Sequence, residues 1–227
     1  RFNNDGLITV QGNGWHTSML FLPKETYYEA HPDWYASNLP ELCFTAHGVE
    51  EEYEAMANEM YIKVRDLLID YPDANRVAIG QMDGAGGKWC NCATCTAEKQ
   101  KYGTDSAVLV KFINDVSSRV TEYFKDQGDE RDITYTFLAY NYVTDLGPAK
   151  KNADGTWSAI DVRCNDNVVP TLAHLDKMHN RPYTDKQNEH YRDSIASWAA
   201  VSDRMYNWLY QTNFYHYMLR NIFLLPG

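Results

Sequence analysis

The chain has 227 residues, of which 44% are hydrophobic and 23% charged, and its formal net charge is −10. These values are ordinary for a globular domain and argue against a disordered or collagen-like chain. The excess of acidic residues argues against a nucleic-acid partner, because phosphate binding depends on clustered Lys and Arg. No apolar run approaches the roughly 20 residues that a membrane-spanning helix needs.

Runs of β-forming residues alternate with amphipathic segments along the chain. Apolar residues spaced by three and four predict helices over residues 49–67, 109–124 and 191–201. The runs between them are largely apolar throughout, which is typical of strands buried on both faces. The predicted strands are Leu7–Gln11, Leu42–Ala46, Arg76–Met82, Ile133–Tyr140, Ala159–Cys164 and Arg204–Tyr210.

This alternation predicts a single α/β domain with a parallel sheet, and two architectures fit it. A doubly wound sheet usually has an early phosphate-binding Gly loop, whereas Gly84–Gly87 leads into cysteines instead. A (β/α)8 barrel has eight strands in about 250 residues. We therefore predict a barrel fragment with about six of its eight β/α units. Because the chain begins at Arg1 rather than Met, we expect it to be a piece of something longer.

Sites of parallel α/β folds lie at the carboxyl ends of the strands. Asp83 follows the apolar run 77–82 and precedes a Gly-rich loop, so it is a candidate catalytic acid or base. The alternative is an Asp that initiates a turn or caps a helix. Asp166 follows the predicted strand that ends at Cys164 and would supply a second carboxylate. Most glycoside hydrolases cleave the glycosidic bond with two carboxylates on opposite sides of a pocket.

Aromatic residues accompany amides and imidazoles at the ends of three predicted strands. Flat rings pack against the C–H faces of sugars, and the polar groups form hydrogen bonds with sugar hydroxyls. The alternative is that the rings fill the core. The candidate sugar contacts are Trp15, His16, Tyr140, Tyr142, Trp208, Tyr210, Asn213 and His216.

Cys90, Cys92 and Cys95 form a C-x-C-x-x-C motif. Three thiolates at this spacing can bind one soft metal ion, and zinc requires a fourth ligand. Such a site would be structural, because it leaves no open coordination position. A disulfide and free thiols are the alternatives. The candidates for the fourth ligand are Cys43, Cys164 and His16.

Five segments together resemble the family catalogued as domain of unknown function 4838, some of whose members form glycoside hydrolase family 163. The segments span nearly the whole chain in the family's order, and the Asp and cysteine block is the most specific. They are His31–Ala36, Glu41–Thr45, Gln81–Asp83 with Trp89–Cys95, Leu138–Tyr142 and Thr212–Tyr217.

The resemblance implies a (β/α)8 barrel with endo-β-N-acetylglucosaminidase-like activity on N-glycans. It implies secreted or cell-surface proteins, often from gut bacteria, and a catalytic-site position for Asp83. It also implies that residues 1–227 form one catalytic-type domain, with the first strands and an accessory domain upstream. The expected partner is a glycan, and catalysis needs no cofactor, so a structural zinc is the one cofactor expected.

The chain departs from the family pattern at one carboxylate position. The family has a Glu three residues beyond the strand Cys, and Asn167 occupies that place here, with Asp166 beside it. An Asn can orient a sugar acetamide but cannot transfer a proton. We therefore expect Asp83 and Asp166 to be the two acidic residues of the site, with Asp166 in place of the family's Glu, and Asn167 to contact the substrate. The alternative is a non-catalytic carbohydrate-binding protein on the same barrel. A zinc hydrolase centred on the thiols is less favoured, because catalytic zinc keeps an open position.

Overall fold

The computed structural model describes residues 7–8, 14–83, 88–140, 144–174, 178 and 181–209. Within these residues the centre of the fold is a five-stranded sheet whose neighbouring strands are all parallel. The order of the strands in the sheet is their order along the chain. They are β1 (Leu7–Ile8), β2 (Arg76–Ala78), β3 (Thr134–Ala139), β6 (Val168–Leu172) and β7 (Tyr206–Asn207).

Helices form most of the connections between these strands. A small antiparallel hairpin of β4 and β5 takes the place of a helix between β3 and β6. The helices are α1 (Ser18–Phe21), α2 (Lys24–Tyr27), α3 (Glu50–Asp70), α4 (Ala93–Tyr102), α5 (Ser106–Asp126) and α6 (Glu189–Ala199). The hairpin strands are β4 (Ala149–Lys151) and β5 (Trp157–Ala159), and short 3-10 turns cover Pro32–Trp34, Ala46–Gly48 and Lys186–Asn188.

The three predicted amphipathic helices are confirmed as α3, α5 and α6. Helix α3 packs on α5, and α5 turns an almost continuous apolar face, including Phe112 and Val116, into the core. Every residue of β3 is buried, as expected for the middle strand of a covered parallel sheet. Asp105 precedes α5, and its carboxylate accepts a hydrogen bond from Lys99 Nζ (2.7 Å) instead of capping the helix.

The predicted strand Leu42–Ala46 is wrong. Leu42 forms only an isolated bridge with Tyr35, and Ala46 begins a 3-10 turn. Ala46 and His47 have φ of 43° and 55°, in the left-handed region that non-glycine residues rarely adopt. The segment is apolar because it is buried in a turn, not because it belongs to a sheet.

The predicted strand Ala159–Cys164 is also wrong. Residue Ala159 ends the antiparallel hairpin, and the next parallel strand is β6, which begins at Val168. Pro170 conceals this strand in the sequence, since proline lacks the N–H that an inner strand donates. The register with β7 involves Thr171 and Leu172 but not Pro170. Asp166 therefore precedes a strand instead of following one.

The strand order does not reverse among the described strands, as it would in a doubly wound sheet. In this part of the chain β1 and β7 are the two edges of the sheet, and the barrel stays a prediction. No helix within the described ranges is long and apolar enough to cross a membrane.

Candidate functional site

The carboxyl ends of the parallel strands bring several predicted site residues to one edge of the sheet. Asp83 follows β2, Tyr140 directly follows β3, and Trp208 directly follows β7. The backbone N–H of Trp208 donates to the carbonyl of Leu172, the last residue of β6. Since all these strands are parallel, their carboxyl ends share this edge, and we name it the carboxyl edge.

Residues 15–18 pack against the end of β2 through a close contact at Gly80. The backbone N–H groups of Thr17 and Ser18 donate to the carbonyl of Gly80 at 3.1 and 2.9 Å. The Thr17 hydroxyl donates to the carbonyl of Ala78 at 2.9 Å. A Cβ atom at Gly80 would lie 2.5 Å from the carbonyl oxygen of Trp15. The absence of a side chain here is what lets Trp15 reach the carboxyl edge.

Asp83 and Tyr140 form a direct hydrogen bond at this edge. The Tyr140 hydroxyl donates to Asp83 Oδ1 at 2.8 Å, and the Asp83 side chain is exposed. The His16 ring lies 5.5 Å from the Tyr140 ring, and His16 Nδ1 donates to the carbonyl of Gln81 at 2.7 Å. His16 is buried. It therefore packs beside the Tyr140 ring and holds the backbone at Gln81, two residues before Asp83, which is itself exposed.

Trp15 and Trp208 provide aromatic surface beside this pair. Their ring centroids are 5.7 Å apart with an interplanar angle of 83°, an edge-to-face contact. Trp15 also packs on a small apolar cluster that contains Tyr140. Trp208 is 42% exposed, so part of this residue is accessible from solvent. The structure thus places predicted sugar contacts from three separate chain segments together.

Gln81 joins the end of β2 to the loop after β3. Its Nε2 donates to the carbonyl of Leu138 (3.1 Å) and to Thr144 Oγ1 (3.0 Å). The Thr144 hydroxyl also accepts from the backbone N–H of Tyr140 at 3.2 Å. These buried bonds hold the backbones of Asp83 and Tyr140 in a fixed relation.

Glu41 is a residue of this edge that sequence reasoning missed. Its side chain is 3% exposed, and its carboxylate accepts from the backbone N–H of Met82 at 2.5 Å and of Leu42 at 2.7 Å. Burial raises the pKa of the Glu41 carboxyl to about 7. Its place in the family segment Glu41–Thr45 was a signal in the sequence, but its partner Met82 is 41 residues away and could not be inferred from it.

Asp145 and His190 form a second polar pair that sequence reasoning missed. The buried Asp145 carboxylate accepts from His190 Nε2, and the Asp145 carbonyl accepts from Trp198 Nε1 at 3.0 Å. His174, just past the end of β6, bonds to Ser194 Oγ at 2.7 Å. These contacts hold α6 against the carboxyl edge. The partners are 20 to 53 residues apart in the sequence, so no local pattern predicts them.

Asp166 and Asn167 do not belong to this edge, so the predicted pairing of Asp83 with Asp166 is wrong. Both residues precede β6, and the Asn167 side chain donates to Thr121 Oγ1 at 3.1 Å. Five residues of strand span roughly 17 Å. Asp166 and Asn167 therefore lie at the amino edge of the sheet, away from Asp83, and Asn167 is no substrate contact at the carboxyl edge.

The remaining predicted contacts fall outside the described residues. They are Tyr142, Tyr210, Asn213 and His216.

Cys43 joins the C-x-C-x-x-C cysteines in one compact group, which we name the thiol cluster (Cys43, Cys90, Cys92 and Cys95). The four sulfur atoms lie within 4.8 Å of one another, and none forms a disulfide. Cys43 Sγ is 3.7 Å from Cys92 Sγ and 3.8 Å from Cys95 Sγ. Tetrahedral zinc with 2.3 Å bonds separates its ligand atoms by about 3.8 Å. The predicted grouping is confirmed, and Cys43 is the fourth member rather than Cys164 or His16.

Backbone N–H groups point at two sulfurs of the cluster. Cys92 caps α4, and its sulfur accepts from the backbone N–H of Cys95 at 3.4 Å. The left-handed turn at Ala46 and His47 brings the His47 N–H to Cys43 Sγ at 3.2 Å. Donors of this kind favour thiolates over thiols, which is the form that metals bind.

The hydrogen bonds within the cluster separate the pKa values of its thiols. Bonds from the Cys90 and Cys95 thiols hold the pKa of Cys43 well below its usual range. Donation to Cys43 raises the pKa of Cys90 to about 12 and that of Cys95 well above its usual range.

A family model described as a domain of unknown function (DUF4838) matches residues 3–221. The chain belongs to this family. Comparisons with curated proteins and with solved structures gave no match. The matched range of the DUF4838 domain contains both the carboxyl-edge residues and the thiol cluster.

Proposed function

We propose that this DUF4838 domain is a glycoside hydrolase that acts on β-linked N-acetylglucosamine in N-glycans or related glycans. The observation that carries the proposal is the exposed Asp83 carboxylate, held by the Tyr140 hydroxyl at 2.8 Å beside the Trp15–Trp208 pair. An oriented acid next to aromatic rings supplies the proton donor and the sugar-binding surface that glycosidic-bond cleavage uses. The carboxyl edge is also where parallel α/β folds place their sites.

Asp83 acts in this proposal as the general acid that protonates the leaving oxygen. Trp15 and Trp208 pack against sugar rings, and the Tyr140 hydroxyl orients the acid. Since Asp166 lies at the other edge, the proposed nucleophile is the sugar's own acetamide oxygen, which attacks C1 as the C1–O bond breaks. Water then attacks C1, the Asp83 carboxylate takes the proton from that water, and the resulting ring opens to restore the acetamide and the Asp83 acid. Such substrate-assisted routes are known exceptions to the two-carboxylate scheme.

The test compares Asp83→Asn with Asp166→Asn on 4-methylumbelliferyl β-N,N′-diacetylchitobioside. Asp83→Asn keeps the shape of the side chain but removes the transferable proton, so we expect turnover to fall by about 10²-fold or more. Asp166→Asn makes the same chemical change at the opposite edge and should leave turnover unchanged. Hydrolysis that survives Asp83→Asn would contradict the role of Asp83.

The second candidate is a non-catalytic carbohydrate-binding protein. One observation favours this candidate. Asp166 and Asn167 lie at the amino edge, so the site at the carboxyl edge lacks the predicted second carboxylate. Isothermal titration with chitotriose separates the two candidates. Binding without cleavage of any N-acetylglucosamine-containing glycan would favour the binding protein, and cleavage would exclude it.

We also propose that the thiol cluster binds one structural zinc ion. Four sulfur donors at tetrahedral spacing suit zinc and leave no open position for catalysis. The ion would join the segment at Cys43 to the start of α4.

Metal analysis of the purified protein tests this site. We expect one zinc per chain, and Cys43→Ser should lower the zinc content or its affinity at least tenfold. Cys164→Ser is the matched control, because Cys164 is a free cysteine outside the cluster. Protein that neither contains zinc nor takes it up on titration would contradict the proposal.

A further inference from the structure

One short segment, residues 38–43, holds the chain on both sides of residues 84–87. Before them, the Glu41 carboxylate accepts from the N–H of Met82. After them, Asn38 Nδ2 donates to the carbonyl of Trp89 at 3.0 Å. Cys43 then contacts two other members of the thiol cluster, Cys92 and Cys95, which follow Trp89 in the chain. This one segment therefore contacts the chain before and after residues 84–87, and it adds to the bonds that residues 16–18 and Gln81 make near Asp83.

Glu41 places a buried carboxyl group against the backbone next to Asp83. Its carboxyl is 3% exposed, and each of its two oxygens accepts from a backbone N–H group, those of Met82 and Leu42. Burying a group that can ionise costs free energy unless its hydrogen bonds are satisfied. A water-exposed turn would satisfy the Met82 N–H without this cost. The carboxyl thus fixes one particular peptide orientation.

We infer that Glu41 is a positioning residue for Asp83, an inference that rests on the proposed function. Met82 directly precedes Asp83, so anchoring the Met82 N–H fixes the Gln81–Met82 peptide, one residue before the Asp83 Cα, and thereby limits the direction in which the Asp83 side chain projects. That direction brings Asp83 Oδ1 to 2.8 Å from the Tyr140 hydroxyl. A displacement of about 1 Å at a reacting group can reduce the rate by roughly 10²-fold.

Two substitutions at Glu41 and one control test the inference kinetically. Glu41→Leu keeps the volume but leaves the Met82 N–H without its acceptor, so we expect kcat on the chitobioside to fall at least about tenfold, with KM changed less than about threefold. Glu41→Gln keeps one acceptor oxygen and should retain kcat within about threefold. Tyr135→Phe changes a buried side chain in β3 that bonds to Thr121, and should leave kcat unchanged.

Nuclear magnetic resonance tests the geometry without any substrate. In Glu41→Leu we expect faster hydrogen exchange of the Met82 amide and shifted Asp83 carboxyl and Tyr140 ring resonances, with little change in Glu41→Gln. A Glu41→Leu protein with unchanged kcat, or with unchanged Asp83 and Tyr140 resonances, would overturn the inference. If the wild-type protein cleaves no glycan, the proposed function fails and the resonances alone decide whether Glu41 positions Asp83.

Discussion

At the residue scale, Gly80 decides whether Trp15 reaches the carboxyl edge. We expect Gly80→Ala to lower the free energy of unfolding by about 1–3 kcal/mol, because the new methyl group would overlap the carbonyl of Trp15. Chitotriose affinity should fall with it, since Trp15 must move. Denaturant unfolding and isothermal titration measure the two effects.

Gly155→Ala is the comparison for this prediction. Gly155 has φ of 86° in the hairpin turn, with no atom near the position of a Cβ. Its substitution adds backbone strain of about 1–2 kcal/mol but should leave sugar affinity unchanged. Equal losses of sugar affinity in both variants would contradict the role given to Gly80.

The sequence allowed some of the site residues to be predicted and concealed others. Asp83 and Tyr140 follow clear apolar runs, so their position after strands could be inferred. Asp166 was misplaced because its role depends on where the neighbouring strand begins, and Pro170 hides that strand. The roles of Glu41 and Asp145 could not be predicted, even though Glu41 begins a family segment, since their partners are brought near only by the tertiary fold.

At the element scale, helices were easier to predict than strands. Helices such as α3 and α5 show a periodic apolar face over 21 residues each. In a short segment, a buried turn and a buried strand both appear as a run of apolar residues. The apolar turn at Leu42–Ala46 could therefore not be distinguished from a strand. Cys43 in this turn contacts Cys92 and Cys95, which are about 50 residues away in the sequence.

Strand β3 carries a buried tyrosine that makes the stability of the fold pH-dependent. Burial raises the pKa of Tyr135 to about 12. The unfolded chain therefore loses the Tyr135 proton first, and the free energy of unfolding should fall as pH rises from about 10 to 12. The contribution is about 3 kcal/mol. Urea unfolding across this range should show a smaller fall for Tyr135→Phe, and an identical fall in both proteins would contradict the assignment.

At the scale of the whole molecule, the thiol cluster joins chain segments that are about 50 residues apart. If it binds zinc as proposed, removing the ion with a chelator should lower Tm by roughly 5–10 °C, because the bound ion stabilises only the folded state. Cys43→Ser should unfold at the same low temperature with and without chelator. A wild-type Tm that the chelator does not change would contradict a structural role for the metal.

The architecture of the molecule could be predicted only in part. The alternation of strands and helices predicted a parallel sheet in chain order, which the five described strands confirm. Sequence pattern did not reveal the hairpin β4–β5 that replaces one helix, because its short strands lack apolar alternation. Closure of the sheet depends on pairing between distant strands, and no local pattern encodes it.

The central claim is that the carboxyl edge around Asp83 cleaves glycans containing β-linked N-acetylglucosamine. Mass spectrometry of an N-glycosylated peptide incubated with the wild-type protein tests it most directly. We predict a peptide that retains a single N-acetylglucosamine, together with the released glycan, and no such products with Asp83→Asn. An intact glycopeptide with the wild-type protein, or the same products with Asp83→Asn, would contradict the claim.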